Sequence, residues 1–379
     1  MQDHLPLDFR SGLFVGRLQL PAGPTPVVLQ AGRVIDVSAI AATVSQLLAA
    51  WPCDISAGVD LGDIADLPLQ TAWQEGSTAI RLLAPLDLQV VKASGVTFAV
   101  SAVERVIEER ARGDAQAAQA LRTSLSARIG GDIRAVQPGS ATAAHLKQVL
   151  IADGLWSQYL EVAIGPDAEI FTKAPVLSSV GWGDYVGVRS DSAWNNPEPE
   201  IVLVADATGR VLGATLGNDV NLRDIEGRSA LLLGKAKDNN ASCALGPFIR
   251  LFDSGFGIAD VRRAEVQLEI TGDDGFRLTG GSSMSLISRD PLDLVGQAMG
   301  QSHQYPDGFA LFLGTMFAPI QDRGAAGQGF THQVGDVVKV SSERLGTLVN
   351  RVRTCEDAPP WTNGITALML NLARRNLLR

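Results

Sequence analysis

Three acidic residues lie close together around two apolar stretches that have the character of strands. Glu198 and Glu200 stand two residues apart before one apolar run, and Asp219 ends the next run. Side chains alternate along a strand, so the two glutamates point to one face, and a turn at 205–210 brings Asp219 back towards them. Like charges held together require compensation, and carboxylates with open positions suit Mg²⁺ or Mn²⁺. The alternative is a solvated edge strand followed by an ordinary turn.

A lysine follows these carboxylates in a loop rich in Gly, Asn and Ser. Lys237 lies in the loop before the Gly-Pro turn at 246–247. This position is suitable for its side chain to reach the carboxylates. The ordinary pKa of a lysine is about 10.4. Burial beside a dication would lower the pKa and make Lys237 a usable base. The alternative is that Lys237 binds a substrate carboxylate as a point charge.

The elements that position these residues are predicted from apolar periodicity and turn residues. Strands are predicted at 27–29 and 34–37, with helices at 40–51, within 102–128 and at 142–154. Strand-like runs dominate from about residue 164 to 350. The predicted fold class is α+β, in which an N-terminal α/β domain (1–85) precedes a β-rich catalytic domain (86–379). The second domain is divided into a helical segment (101–154), a β-rich core (164–350) and a C-terminal helix (363–379).

Composition excludes several classes of protein. Hydrophobic residues make up 46% and charged residues 19%, which excludes a mainly disordered chain. The net charge of −9 disfavours nucleic acid as a partner. No apolar run reaches transmembrane length, and the N-terminus lacks the pattern of a signal peptide. The three cysteines are far apart, which fits a reducing compartment. We therefore expect a cytoplasmic protein with no membrane or nucleic-acid partner.

Six short motifs together resemble the fumarylacetoacetate hydrolase family over residues 85–352. They are Glu198-Pro199-Glu200, Gly217-Asn218-Asp219-Val220 with Arg223-Asp224, Lys237-Asp238 with Leu245-Gly246-Pro247, Ser282-x-Met284-Ser285, Gly314-Thr315, and Gly335-Asp336-Val337 with Leu345-Gly346.

The resemblance implies a distorted β-roll and a Mg²⁺ site. The implied ligands are Glu198, Glu200 and Asp219, and Lys237 stands at the position of the family's active-site lysine. The resemblance also implies that Thr315 binds the substrate carboxylate. The other substrate contacts that we expect are Gly314, Arg223, Ser101 and Phe98.

One departure from the family pattern bears on the reaction. Hydrolases of the family often carry a His and a Glu that activate water, and residues 97–104 match that stretch. Here Ser101 replaces the histidine, whereas Glu104 is present. Without an imidazole, water activation for C–C cleavage is in doubt. The departure favours a branch of the family that resembles 2-keto-3-deoxy sugar-acid dehydratases.

The expected reaction is Mg²⁺-dependent dehydration of 2-keto-3-deoxypentonate to 2-oxoglutarate semialdehyde, in non-phosphorylating pentose catabolism. Lys237 is the candidate base, and Glu104 is the candidate acid or water handler, unless it is a solvated charge on a helix. One alternative function is C–C hydrolysis of acylpyruvate or 2,4-diketo acids, and another is non-catalytic binding. We expect a small 2-keto acid as the binding partner. The resemblance and the apolar C-terminal helix also predict a homodimer or homotetramer.

Overall fold

The computed structural model describes most of the chain. Residues outside the description are 75–79, 112–114, 130–132, 134–135, 316, 318, 320, 324–328 and 379. The described strands are β1 (Leu13–Leu20), β2 (Gly23–Gln30), β3 (Arg33–Asp36), β4 (Val59–Asp63), β5 (Arg81–Leu83), β6 (Val90–Gly95), β7 (Glu169–Ala174), β8 (Tyr185–Val188), β9 (Pro199–Ala205), β10 (Val211–Asp219), β11 (Cys243–Leu251), β12 (Glu265–Thr271), β13 (Arg277–Ser283), β14 (Phe309–Phe312), β15 (Val337–Ser342) and β16 (Gly346–Thr354). The described α-helices are α1 (Val44–Ala49), α2 (Ala99–Ala111), α3 (Ala115–Ile129), α4 (Ala141–Ala152), α5 (Gln158–Ile164), α6 (Arg223–Glu226), α7 (Leu233–Lys237), α8 (Ile258–Val261), α9 (Pro291–Ala298) and α10 (Ile365–Arg374).

Two sheets contain these strands. The larger has the order β4-β3-β2-β1-β11-β10-β9-β14-β6-β7, and β5 also pairs with β1. The smaller has the order β13-β12-β15-β16-β8. Within the larger sheet β14 and β6 are parallel, whereas its other named pairs are antiparallel.

Strand β9 shows why the larger sheet lies in the interior. All seven of its residues are buried. Ile201 and Leu203 belong to the core between the two sheets, whereas Val202 and Val204 belong to the core on the opposite face. A strand covered on both faces reads as a continuous apolar run rather than an alternating one. The apolar run at 201–204 therefore corresponds to a strand that is buried between the two hydrophobic cores.

Four helices form a separate cluster beside the larger sheet. Helices α2, α3, α4 and α5 share a small core that includes Val106, Leu150 and Leu160. Ser140 and Ser157 begin α4 and α5, and their hydroxyls accept backbone N–H bonds that would otherwise lack a partner. We call α2–α5 the helical cap. None of the helices in the described parts of the chain is long and apolar enough to span a bilayer.

The predicted fold class is confirmed, since the fold is a mixed one with large sheets and separate helices. The strands predicted at 27–29 and 34–37 lie in β2 and β3, and the predicted helix at 40–51 is the shorter α1. Helices α2 and α3 overlap the predicted helical region 102–128 and extend slightly beyond it at both ends. Strands from 1–85 and from 86–379 share the larger sheet, because β1 pairs with β11. The division at residue 85 stays a proposal.

Candidate active site

A β-hairpin places the three predicted carboxylates side by side. In the β9–β10 register Gly217 pairs with Glu200, and the Asp219 N–H donates to the Glu198 carbonyl at 3.0 Å. One oxygen from each of Glu198, Glu200 and Asp219 lies within 4.8 Å of the others. The sequence prediction that the returning strand brings Asp219 to the two glutamates is therefore confirmed as geometry.

Neighbouring backbone and amide groups hold two of these carboxylates. The Gly314 N–H donates to Glu200 Oε2 at 2.6 Å, directly after β14, which pairs with β9. Gly314 has a φ of 88°, and a Cβ there would lie 2.2 Å from Thr97 Oγ1, so this close approach requires glycine. The Asn221 side-chain amide donates to Glu198 Oε1 at 3.0 Å and to Glu226 Oε2 at 2.6 Å.

Two lysines approach the carboxylates from different sides. Lys237 Nζ lies 2.5 Å from Glu198 Oε2 and 3.0 Å from Asp219 Oδ2. Lys173 Nζ lies 2.8 Å from Asp219 Oδ1 and also donates to the Val220 carbonyl at 3.1 Å and to the Lys237 carbonyl. Lys173 is fully buried, and it is not among the pocket-lining residues. Asp219 is thus held between two cations.

The pKa values of the acids follow from burial and mutual charge. Burial, followed by the charges of Asp219 and Glu198, raises the pKa of Glu200 well above its usual value. Burial also raises the pKa of Glu198, although Lys237 opposes the change. Burial would raise the pKa of Asp219 too, but Lys173 and Lys237 outweigh it and the pKa lies below its usual value. Burial and mutual repulsion therefore oppose ionisation of the two glutamates, whereas Asp219 between its two lysines ionises readily.

The pKa of Lys237 follows from the carboxylates around it when no further cation is present. Burial lowers it, but Asp219, Glu198 and Glu226 outweigh burial and raise it well above the usual value. The lowering that was expected from the sequence requires a further cation among these carboxylates.

An open pocket of about 730 Å³ contains the carboxylates at its wall. Nine of the predicted site residues line it: Phe98, Ser101, Glu198, Glu200, Asp219, Arg223, Lys237, Gly314 and Thr315. The Arg223 guanidinium stacks on the Trp194 ring at 4.5 Å, which fixes its direction. Glu104 belongs to α2, but its side chain lies outside what the structure describes.

Several residues of the site were not predicted from the sequence. Glu169, Glu226 and Arg228 line the pocket, as do Gln158 and Tyr159 from the helical cap. Glu226 could have been noticed because it follows the Arg223-Asp224 motif closely. Nothing in the sequence around Glu169 or Gln158 separates them from ordinary polar residues.

The residues fit a hard divalent cation. Three carboxylates supply oxygen donors, and oxygen is the donor that Mg²⁺ and Mn²⁺ prefer. Burial, with repulsion from neighbouring carboxylates, raises the pKa of both Glu198 and Glu200, so a further positive charge beside them would favour their ionised forms. A bound dication would supply that charge, and Glu198, Glu200 and Asp219 would be its protein ligands.

Known proteins resemble the chain over this region. Residues 194–353 match the model of the family described as fumarylacetoacetate hydrolase, C-terminal. The chain is 32% identical to the 2-dehydro-3-deoxy-D-arabinonate dehydratase of Saccharolobus solfataricus over 185 residues, which are 49% of the chain and 58% of the relative. It is 32% identical to a probable 2-keto-3-deoxyxylonate dehydratase of Haloferax volcanii over 196 residues, which are 52% of the chain and 64% of the relative. The chain thus spans less than two thirds of the length of either relative.

A solved structure shares the fold across nearly the whole chain. The 2-keto-3-deoxy-D-arabinonate dehydratase complexed with magnesium and 2,5-dioxopentanoate superposes with a TM-score of 0.63. The match covers 90% of this chain and 98% of that one, at 22% identity. The overall fold is therefore that of this structural group.

Proposed function

We propose that this chain, which carries a fumarylacetoacetate hydrolase family domain, is a Mg²⁺-dependent hydro-lyase acting on a 2-keto-3-deoxy sugar acid. The expected substrate is 2-keto-3-deoxypentonate, and the expected product is 2-oxoglutarate semialdehyde. The names of the two similar dehydratases support the reaction type. The magnesium complex of the structural neighbour supports the choice of ion, and Mn²⁺ has the same donor preference.

One observation favours dehydration over hydrolysis. None of the described residues that line the pocket is a histidine, and Ser101 lines it at the position where hydrolases of the family carry one. A serine hydroxyl without a partner base cannot activate water near pH 7, whereas an imidazole can. Loss of water needs a base and an acid but no activated water. The pocket supplies both types of group.

The protein groups would divide the chemistry as follows. Bound Mg²⁺ would supply Lewis-acid polarisation of the 2-keto group, which makes the C3 protons more acidic. Lys237 Nζ would accept a C3 proton, once Glu198 and Asp219 act as metal ligands and no longer raise its pKa. The C4 hydroxyl would leave as water with a proton from a carboxyl group. A proton shift from C5 to C3, and another from the C5 hydroxyl to C4, would then give the aldehyde, so that the overall change is the loss of one water molecule.

The general acid that donates a proton to the leaving hydroxyl is less clearly defined than the base. Glu104 is the residue that the sequence suggests. Within the described pocket, Glu169 and Glu226 also present carboxyl groups. Thr315 and Arg223 line the same pocket and would bind the substrate carboxylate and hydroxyl groups. We also propose a cytoplasmic location, which the three free thiols support.

The test compares two reactions at matched substrate and Mg²⁺ concentrations. Dehydration of 2-keto-3-deoxypentonate is followed by coupled enzymatic oxidation of the semialdehyde, which reduces NADP⁺ to NADPH. Cleavage of acetylpyruvate is followed by loss of its ultraviolet absorbance. Because imidazole assistance is worth about 10²–10⁴ in rate, dehydration should exceed cleavage by at least about 10². Faster cleavage of acetylpyruvate would favour the C–C hydrolase alternative.

Two variants separate the metal site from the fold. Glu200→Gln should weaken Mg²⁺ binding and abolish turnover, because the neutral amide is a poorer ligand. The matched control is Glu269→Gln, whose carboxylate is exposed and pairs with Lys339 in the smaller sheet. Full activity of Glu200→Gln in the presence of a chelator would show that the metal site is wrongly assigned. Ser101→His should retain Mg²⁺ binding.

A further inference from the structure

The helical cap supplies one wall of the pocket but lies outside both sheets. Phe98, just before α2, and Ser101, in its first turn, line the same pocket as the carboxylates, as do Gln158 and Tyr159 at the start of α5. The helical cap must therefore be fixed relative to the strands that carry the carboxylates, since small displacements between binding groups and reacting groups lower the reaction rate. The contacts that do this come from a short segment between β13 and α9.

Ser288 connects α2 to the strands that carry the carboxylates. Its N–H donates to the Thr97 carbonyl at 2.9 Å, and its hydroxyl accepts from the Ala99 N–H at 2.6 Å, in the first turn of α2. Thr97 Oγ1 in turn donates to the Leu313 carbonyl at 2.7 Å. The next residue, Gly314, donates to Glu200. A continuous series of hydrogen bonds thus runs from a carboxylate of the site to the helical cap.

Arg289 connects α5 to the same segment. Its guanidinium donates to the Val162 carbonyl at 2.8 Å, the Gly165 carbonyl at 2.7 Å and the Asp167 carbonyl at 3.1 Å. The last carbonyls of a helix lack partners within the helix, and the helix dipole is negative at that end. A buried cation there is therefore favoured both by hydrogen bonds to these carbonyls and by the dipole. The Arg289 side chain is only 1% exposed. A fully buried arginine that bonds chiefly to backbone carbonyls fixes a helix end rather than a ligand.

We propose that Ser288 and Arg289 are positioning residues that hold α2 and α5 over the carboxylates and thereby set the affinity for the substrate. Neither residue is among those that line the pocket. Their effect therefore passes through Phe98 and Ser101 in one case, and through Gln158 and Tyr159 in the other. The proposal rests on the proposed function only for the identity of the substrate.

The test uses variants of graded severity. Arg289→Met removes the bonds to all three carbonyls, Arg289→Lys keeps the charge but only part of the bonding, and Ser288→Ala removes the bond to α2. The matched control is Arg262→Met, because Arg262 pairs with Asp290 on the surface beside the same segment. The quantities measured are KM, kcat, the Mg²⁺ dissociation constant and the hydrogen exchange of α2, α5, β9 and β10.

Hydrogen bonds to charged groups stabilise a structure more than neutral ones do. We therefore expect KM to rise about tenfold or more in Arg289→Met, and less in Arg289→Lys. The Mg²⁺ dissociation constant should stay within about twofold of the wild-type value, since hydrogen bonds from this segment to α5 do not involve the ligands. Hydrogen exchange should accelerate in α5 and the start of α2, but not in β9 or β10. Arg262→Met should match the wild type in all four quantities.

Three outcomes would overturn the proposal. One is an unchanged KM in Arg289→Met and Ser288→Ala despite faster exchange, which would make the contacts merely structural. Another is a parallel loss of Mg²⁺ affinity and faster exchange in β9, which would indicate general unfolding. The third is an Arg289→Lys variant as impaired as Arg289→Met. If the wild-type protein dehydrates nothing, Mg²⁺-dependent binding of 2-oxobutyrate by calorimetry replaces KM, so that failure of the function and failure of this proposal remain distinct.

Discussion

Replacement of Lys173 by methionine tests how the fold tolerates three adjacent carboxylates. Lys173 and Asp219 form a pair whose side chains are 0% and 2% exposed. Methionine has a similar length, so the variant removes a charge and little volume. With all three carboxyl groups ionised, as they would be in an ion-binding state, their formal charges and those of the two lysines sum to −3 + 2 = −1, and without Lys173 to −3 + 1 = −2.

The magnitude follows from the burial of the pair. Removal of one partner from a buried ion pair costs about 3–5 kcal/mol, because it leaves an uncompensated charge. Asp219 keeps Lys237 as a partner, so we expect the lower end, about 3 kcal/mol. Since the remaining group is more negative, Mg²⁺ should bind it more tightly. An ion at about 100 times its Kd stabilises a fold by roughly 2.7 kcal/mol, and the gain should be larger in the variant.

The assay is urea unfolding of both proteins in chelator and in saturating Mg²⁺. The control is Lys339→Met, which breaks an exposed pair with Glu269 and should cost no more than about 1 kcal/mol. The reasoning is refuted if Lys173→Met unfolds at the wild-type urea concentration in chelator. It is equally refuted if Mg²⁺ stabilises the two proteins by the same amount.

Two further predictions concern pH and assembly. Burial lowers the pKa of His332, although Asp336 opposes this, so the imidazole binds its proton mainly after unfolding. Its contribution to stability is complete above about pH 6.5 and is lost as the pH falls towards the lower folded value, with a slope of up to about 1.4 kcal/mol per pH unit. His332→Gln should flatten this decline in urea midpoints measured from pH 7 to 5, and an unchanged decline would exclude His332 as its source. Ile365 and Met369 are 52% and 54% exposed on α10, and with the family resemblance they support a homodimer or homotetramer. Light scattering at micromolar concentration should therefore exceed the 40.0 kDa chain mass, and a single species of that mass would contradict the prediction.

The local part of the site could be predicted from the sequence because a hairpin is a local structure. Alternation places Glu198 and Glu200 on one face, and the turn between β9 and β10 determines which residue returns beside them. The short motifs then added Lys237 and Gly314, which the structure places in the same pocket.

The long-range part could not be predicted in this way. Lys173 belongs to β7 at one end of the larger sheet, and β9, β14 and β6 separate β7 from β10 in strand order. Contact between Lys173 and Asp219 therefore requires the sheet to curl, and curvature leaves no periodic pattern in the sequence. No sequence pattern indicates the contacts of Arg289 either, because its partners are backbone carbonyls rather than particular side chains.

The pairing of β1 with β11 also limits how the chain can be divided. Strand β11 has nine buried residues and lies between β1 and β10, the strand that ends at Asp219. A fragment that begins at residue 86 would leave the backbone of β11 open on one side. An uncovered apolar edge is a template for association with other chains. The N-terminal strands therefore cover this edge of β11, and the pairing would hinder their exchange for an unrelated module in evolution.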